Sequence, residues 1–420
     1  MNRRQFLTAS LGLTGASMLT SREGLASMES ESERNFLFVF AQGGWDPTRV
    51  FTPEFDNARV AMEADAEPNQ MGSLRWVSHV SRPSVDTFFE SHYDKTMIVN
   101  GVQVRSIAHE ICTSLLFTGG VSGDGADWAT RIASETSRVL PIPHLVLGGP
   151  SFAGDLGAMV VRTGSSNQLE DVLNRSILER SNTSVPTLST PSQEVLDRYI
   201  QRRVQVTAEQ AFYGADARLS SAYKMATDNA MELKERRHTM TFSSGSLSAQ
   251  LECAVDAIAK GISRCTSVVF TGSDGLGWDS HADNDVTQSQ LFEALFGSLN
   301  QLMYQLQNRT DQYGTVLAEN TTIVVCSEMG RTAKLNGTNG KDHWPFTSVM
   351  MFGAGISSNR VIGGLDDNYQ GRRVDLATGD LDDNGQVLSI ESVGAGLLSL
   401  AGLDPSEHIL DADPLLGMLS

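Results

Sequence analysis

Residues 321–332 read TTIVVCSEMGRT. Five of the first six residues are β-branched, the composition of a buried strand. The chain then leaves that strand directly into Ser327-Glu328-Met329-Gly330-Arg331-Thr332, so charged groups emerge at the strand's carboxyl end. The same arrangement occurs twice more. Asn35–Gln42 (NFLFVFAQ) runs into Gly43-Gly44-Trp45-Asp46, and Thr266–Thr271 (TSVVFT) is soon followed by Gly277-Trp278-Asp279-Ser280-His281. Further strands are expected at Thr96–Asn100, His144–Leu147 and Val349–Phe352. Between them lie helical stretches: Ser246–Gly261, Val286 to Asn308 with Leu291, Leu295, Leu299 and Leu302 on one face, and Ile390–Ala401. Alternation of this kind predicts an α/β fold with a large, mainly parallel central sheet and helices on both faces.

One region breaks the alternation. Residues 190–237 open with Thr-Pro-Ser-Gln-Glu, a helix start, and carry Leu196, Ile200 and Val204 at four-residue spacing. They are expected to form a helical insertion, about 190–240, outside the sheet. Residues 35–420 otherwise read as a single α/β domain.

The composition narrows the function. The 420 residues carry 50 Asp and Glu against 32 Lys and Arg, a net charge of −18. An acidic chain gains nothing from nucleic acid or an anionic membrane as its main partner, whereas it suits a divalent cation. The 38 glycines against 12 prolines fit many tight strand–helix turns. Of the four cysteines, Cys112 and Cys326 sit in apolar runs and read as buried thiols, while Cys253 and Cys265 are the pair able to meet across a helix–strand turn.

Residues 1–27 read as an export signal: Arg3 and Arg4 precede Phe6 and a mildly apolar run from Leu7 to Leu19, too short to remain in a bilayer. Paired arginines there are the twin-arginine type, with cleavage expected near Ala26 and Ser27 and a polar spacer over 28–34. The expected location is the periplasm or outside the cell, reached through the twin-arginine machinery. The processed chain is then not an integral membrane protein. Export in the folded state is a reason to look for a metal.

Open α/β sheets place their sites beyond the carboxyl ends of their strands. Collected there are Asp46, Asp279, His281 and Glu328, with Asp342 and His343 in the Gly/Asn-rich loop that follows. Mixed carboxylate and imidazole donors suit Zn²⁺, Mn²⁺ or Fe, and an oxygen-only subset suits Mg²⁺ or Ca²⁺. One or two divalent ions are expected. Taken singly, each residue has a plainer reading. Asp46 is placed to form a turn or cap a helix, and Arg331 to pair with Glu328 or to bind an oxyanion.

The order of GGWD, GWDSHADN, SEMGRT and KDHW behind a twin-arginine start resembles the bacterial family catalogued as domain of unknown function 1501, a relative of the alkaline phosphatase and sulfatase superfamily. The resemblance runs over essentially all of the mature chain. It implies a metal-dependent hydrolase fold acting on phosphate or sulfate esters, of small molecules or glycans, or a metal-binding relative without catalysis and with an envelope role. By this resemblance Asp46 takes the place of a first-strand metal aspartate, and Asp279 and His281 that of an Asp-spacer-His pair. Glu328 replaces the aspartate of an Asp-His-Gly motif with Met329 where the histidine belongs, and His343, beside Asp342, matches a late histidine ligand. The attacking residue is expected ten positions before a helix-closing Thr-Gly. Thr118-Gly119 puts His109 there, as nucleophile, ligand or base. Arg331 and, behind it, Arg105 are the candidates for binding ester oxygens. No Cys-x-Pro-x-Arg occurs, so formylglycine chemistry is not expected.

Overall fold

The computed structural model describes residues 33–163, 190–210, 214–236, 245–409 and 411–420, with isolated positions between 164 and 244. The export signal at 1–27 and residues 28–32 of the 28–34 spacer lie outside the described residues.

Among the described residues eight strands form the central sheet: β1 (Asn35–Ala41), β2 (Thr96–Gln103), β3 (His144–Val146), β4 (Val160–Arg162), β5 (Cys265–Phe270), β6 (Thr321–Cys326), β7 (Phe346–Gly353) and β8 (Arg360–Gly363). Their order across the sheet is β8-β2-β7-β6-β1-β5-β3-β4. β1 lies at the middle, parallel to both β6 and β5, with Phe40 opposite Cys326 on one side and Val269 on the other. Only β7 runs against its neighbours, β6 and β2. A parallel return needs a crossover, usually a helix. The 327–345 connection holds no helix; it carries a short ribbon instead, and the chain comes straight back antiparallel.

Alternation along β1 divides the core. Phe36, Phe38 and Phe40 face α2 (His109–Thr118), α3 (Trp128–Ser134) and α8 (Ile390–Leu400). Leu37, Val39 and Ala41 face α1 (Pro83–His92), α6 (Leu247–Ala259) and α7 (Asn284–Asn308). Each fully buried Phe or Leu contributes roughly 1.5–3 kcal/mol. A one-residue slip would exchange the two faces, so the register of β1 is strongly fixed. Ser246 and Ser389 start α6 and α8 by accepting the amide hydrogens of Ala249 and Ser392.

The fold is thus α/β with a mainly parallel sheet covered on both faces, as the alternation predicts. Among the described residues of 190–240 there are two helices, α4 (Thr190–Gln210) and α5 (Gly214–Arg236); the expected end of the insertion at 237–240 is outside the described residues. Of its four-spaced apolar residues Val204 is buried, while Leu196 is exposed. All four cysteines are free and buried, so Cys253 on α6 and Cys265 on β5 form no bridge. Burial pushes the Cys265 and Cys326 thiols up to about 12. No helix among the described residues is long and apolar enough to cross a membrane.

Candidate metal centre

The turn after β1 is tied to the turn after β6. Gly43 adopts φ +130°, and a Cβ there would lie 2.9 Å from the Trp278 Cβ, so only glycine lets the three strand ends close together. Its amide donates to both Glu328 oxygens, at 2.9 and 3.1 Å. The amides of Gly44 and Trp45 donate to Ser327 Oγ, whose own proton goes to the Ala41 carbonyl at 2.6 Å. Beyond Glu328, Gly330–Arg331 pairs antiparallel with His343–Trp344, setting Arg331 opposite His343. The loop between them lies against the turn after β5: the Lys341 amide donates to the Ser280 carbonyl at 3.0 Å and Thr338 Oγ1 to the His281 carbonyl at 2.7 Å. His109, the first residue of α2, completes the group.

These elements bring three imidazoles around one carboxylate. The Asp279 Oδ1 atom is 3.1 Å from His281 Nε2 and 3.1 Å from His343 Nε2, and those two nitrogens are 3.0 Å apart. His109 Nε2 faces the other oxygen, Oδ2, at 3.5 Å. Donor atoms of His109, Asp279 and His343 all lie within 4.8 Å of one another.

The Nδ1 partners fix the tautomers. His109 Nδ1 lies 2.8 Å from Glu328 Oε1, His281 Nδ1 3.0 Å from Asp342 Oδ1, and His343 Nδ1 2.7 Å from the Ile107 carbonyl. A carboxylate or carbonyl oxygen only accepts, so each Nδ1 carries a proton and each ring turns its Nε2 toward Asp279, where that atom donates a proton when the ring is charged or offers a lone pair to a metal ion when it is not. Metal-binding histidines are held in this way. The Nε2 of His109 is buried without a hydrogen-bond partner among the described residues, as a donor awaiting a cation would be. Tetrahedral Zn²⁺ with bonds of 2.0–2.2 Å separates its ligand atoms by about 3.3–3.6 Å, close to the observed spacing. The donors therefore fit a divalent ion.

Charge is distributed accordingly. Burial raises the Asp279 carboxyl, but the bonded Arg331 guanidinium, with help from His343 and His281, outweighs it and holds the group down at about 2. The hydrogen bond to Glu328 raises His109, against the effect of burial. Asp342 is lowered by its bonds to His281 and Asn336.

Not every residue singled out in the sequence joins the cluster as a donor. Glu328 and Asp342 stand behind the imidazoles, on their Nδ1 sides, and orient them. Arg331 is fully buried and pairs with Asp279, at 2.8 Å, where the sequence offered Glu328. Its other bonds go to the carbonyls of Gly43, Gly44, Trp278 and Lys341, so its fork is consumed by the scaffold and turned away from any substrate. Arg105 pairs with Glu391. Met329 is buried in the core with the Phe36 face of β1 and supplies no ligand.

Asp46 is the largest departure. It caps the short turn Pro47–Arg49 through the Thr48 amide and is wholly buried, with Lys341 Nζ at 2.8 Å and Arg49 Nε at 3.8 Å. Burial would raise this carboxyl; the two cations more than offset it and hold it well below the usual range. Lys341, Asn284 and the Ile107 carbonyl were not read from the sequence as site residues. A lysine in a Gly/Asn-rich loop gives no sign that it will be buried.

A family model described as protein of unknown function (DUF1501) matches residues 148–407. The chain belongs to that family. The matched span contains Asp279, His281, Glu328 and His343 of the DUF1501 chain; Asp46 and His109 precede it. No curated protein matches. Among solved structures, a 2-O GAG sulfatase aligns over 92% of this chain and 75% of its own, at 9% identity and a TM-score of 0.37. The C-terminal periplasmic domain of EcEptC from Escherichia coli, in complex with Zn, aligns over 91% and 86%, at 9% identity and 0.37. A protein in the alkaline phosphatase superfamily from Vibrio parahaemolyticus aligns over 88% and 67%, at 11% identity and 0.33.

Proposed function

We propose that the chain is an exported, metal-dependent hydrolase of phosphate or sulfate esters, on small molecules or glycans. The observation that carries this reading is the convergence of three Nδ1-protonated imidazoles on the Asp279 carboxylate. His109, Asp279, His281 and His343 would hold the ion. Bound there, a divalent ion supplies a Lewis acid for an ester oxygen and makes a water more acidic. The chain's own contribution is preorganisation. Arg331 fixes Asp279, while Glu328, Asp342 and the Ile107 carbonyl fix the rings, so little reorganisation accompanies reaction. The cluster is open to solvent on one side, with the Asp279 side chain 46% exposed, which leaves room for an ester.

A second reading, a metal-binding protein without catalysis and with a role in the envelope, is favoured by one observation. Both arginines expected to bind ester oxygens are paired elsewhere, Arg331 in the scaffold and Arg105 with Glu391. The two readings separate in one assay. Metal-loaded protein is offered aryl phosphate and aryl sulfate esters, and the hydrolase reading requires turnover that Asp279→Asn abolishes. Zinc-loaded wild type inert toward both ester classes supports the non-catalytic reading.

A further inference from the structure

We propose that the centre takes a single divalent ion, at the His109, Asp279 and His343 cluster, because the Lys341 ammonium holds the cation position at Asp46 that the sequence had included among the ligands. This rests on the metal reading above and adds the number of ions.

The sequence allows one or two ions held jointly by Asp46, Asp279, His281, Glu328, Asp342 and His343. The environment of Asp46 excludes that arrangement. Its Oδ1 accepts from the Thr48 amide at 3.1 Å and Thr48 Oγ1 at 2.6 Å. Its Oδ2 accepts from Asn284 Nδ2 at 2.9 Å and Lys341 Nζ at 2.8 Å. Every one of these neighbours is a hydrogen donor, whereas a metal ion needs lone pairs on all sides. The lone pairs nearby are also in use. Thr48 Oγ1 accepts from Lys341 Nζ at 3.0 Å and Arg49 Nη1 at 2.9 Å, and Asn284 Oδ1 accepts from Ser280 Oγ at 2.7 Å.

Lys341 and Asp46 are both fully buried, and Arg49 adds a second positive charge beside them. A divalent ion on Asp46 would have to expel the ammonium into a closed interior or sit against two like charges. Nor is the ammonium free to swing out. The Lys341 amide donates to the Ser280 carbonyl and its own carbonyl accepts from Arg331, so its backbone is fastened on both sides. Two residues on stands His343. The same anchored segment that delivers a ligand to the metal thus delivers a fixed charge to Asp46. Lys341 is the buried counter-ion of Asp46, beyond the reach of substrate.

The test is a count. Chelator-stripped full-length protein is saturated with Zn²⁺, desalted and measured by elemental analysis, and one zinc per chain is the expected result. Two zincs per chain would overturn the inference and leave the metal reading standing. No zinc would remove the metal reading itself, and this inference with it. An Asp46→Asn variant supplies an independent arm, with folding checked by circular dichroism. It is expected to keep one zinc with a Kd within about threefold of wild type, less than even the loss of an orienting partner would cause. Loss of its zinc in a folded variant would make Asp46 a ligand and overturn the inference. If the variant does not fold, the wild-type count alone decides.

Discussion

His281 Nε2 and His343 Nε2 lie 3.0 Å apart, with the opposite nitrogen of each ring committed to an oxygen that only accepts. Two neutral imidazoles so held would press lone pair against lone pair, beside an Asp279 oxygen 3.1 Å from each. A proton on one ring, or a metal ion bound by both, removes the conflict. The fold enforces the contact, since one histidine comes from the turn after β5 and the other from the antiparallel return after β6.

Glu328 is expected to matter without being a ligand. Its carboxylate holds His109 Nδ1 at 2.8 Å and the Gly43 amide. Replacing it with Gln should weaken zinc binding about 10–100-fold, the usual cost of losing an orienting carboxylate. Chelator competition measures this, and an unchanged affinity would show that His109 is held by other means.

Arg331 is expected to act on stability. Arg331→Met removes the donors from the carbonyls of Gly43, Gly44, Trp278 and Lys341 and takes the guanidinium from Asp279. The cost should be at least about 1–3 kcal/mol in urea denaturation, the penalty for one buried acceptor left unpaired. A loss under about 0.5 kcal/mol, the range of ordinary surface substitutions, would contradict the assignment.

Acid sensitivity away from the centre has a candidate in His144. It is buried between Thr130 Oγ1, at 2.9 Å, and Ser267 Oγ, at 2.8 Å. Burial lowers its imidazole below the ordinary 6.5, against the pull of Asp127. As pH falls, the unfolded chain therefore takes up this proton first. The stabilisation is complete above about 6.5 and is lost progressively below it. Wild type should lose more stability than His144→Gln between pH 7.5 and 5.5, by denaturation midpoint. Equal losses would exclude His144 as the cause.

Export is tested by Arg3→Lys combined with Arg4→Lys. The double variant should stay in the cytoplasm by cell fractionation. Normal export would mean the leader is of another type.

Much of the fold was legible because strand signals are local. TTIVVC and NFLFVFAQ fall on β6 and β1 within a residue, since continuous β-branched or aromatic runs have few other uses. The reversal of β7 was not legible, because strand direction depends on what the connection does in space. α1 could have been read: Pro83 at its start and Val85, Phe88 and Phe89 at helical spacing are there in the sequence. Within the centre, Asp279, His281 and His343 were collected by their place after strands, and His109 by its spacing to Thr118-Gly119. The separation of ligand from support was hidden. Sequence does not tell which side of an imidazole a carboxylate will face, so Glu328 and Asp342 read the same as Asp279. Asp46 illustrates the same limit, since its partner Lys341 lies almost three hundred residues away in a loop that looks solvated.

The most direct test of the whole account is the thermal unfolding of chelator-treated protein with and without added Zn²⁺, Mn²⁺ and Ca²⁺. An ion that binds only the folded chain stabilises it by about 2.7 kcal/mol at a hundred times its Kd. The account predicts that at least one of the three ions raises Tm by several degrees, and that His281→Ala with His343→Ala abolishes the rise. A Tm indifferent to all three ions would contradict it.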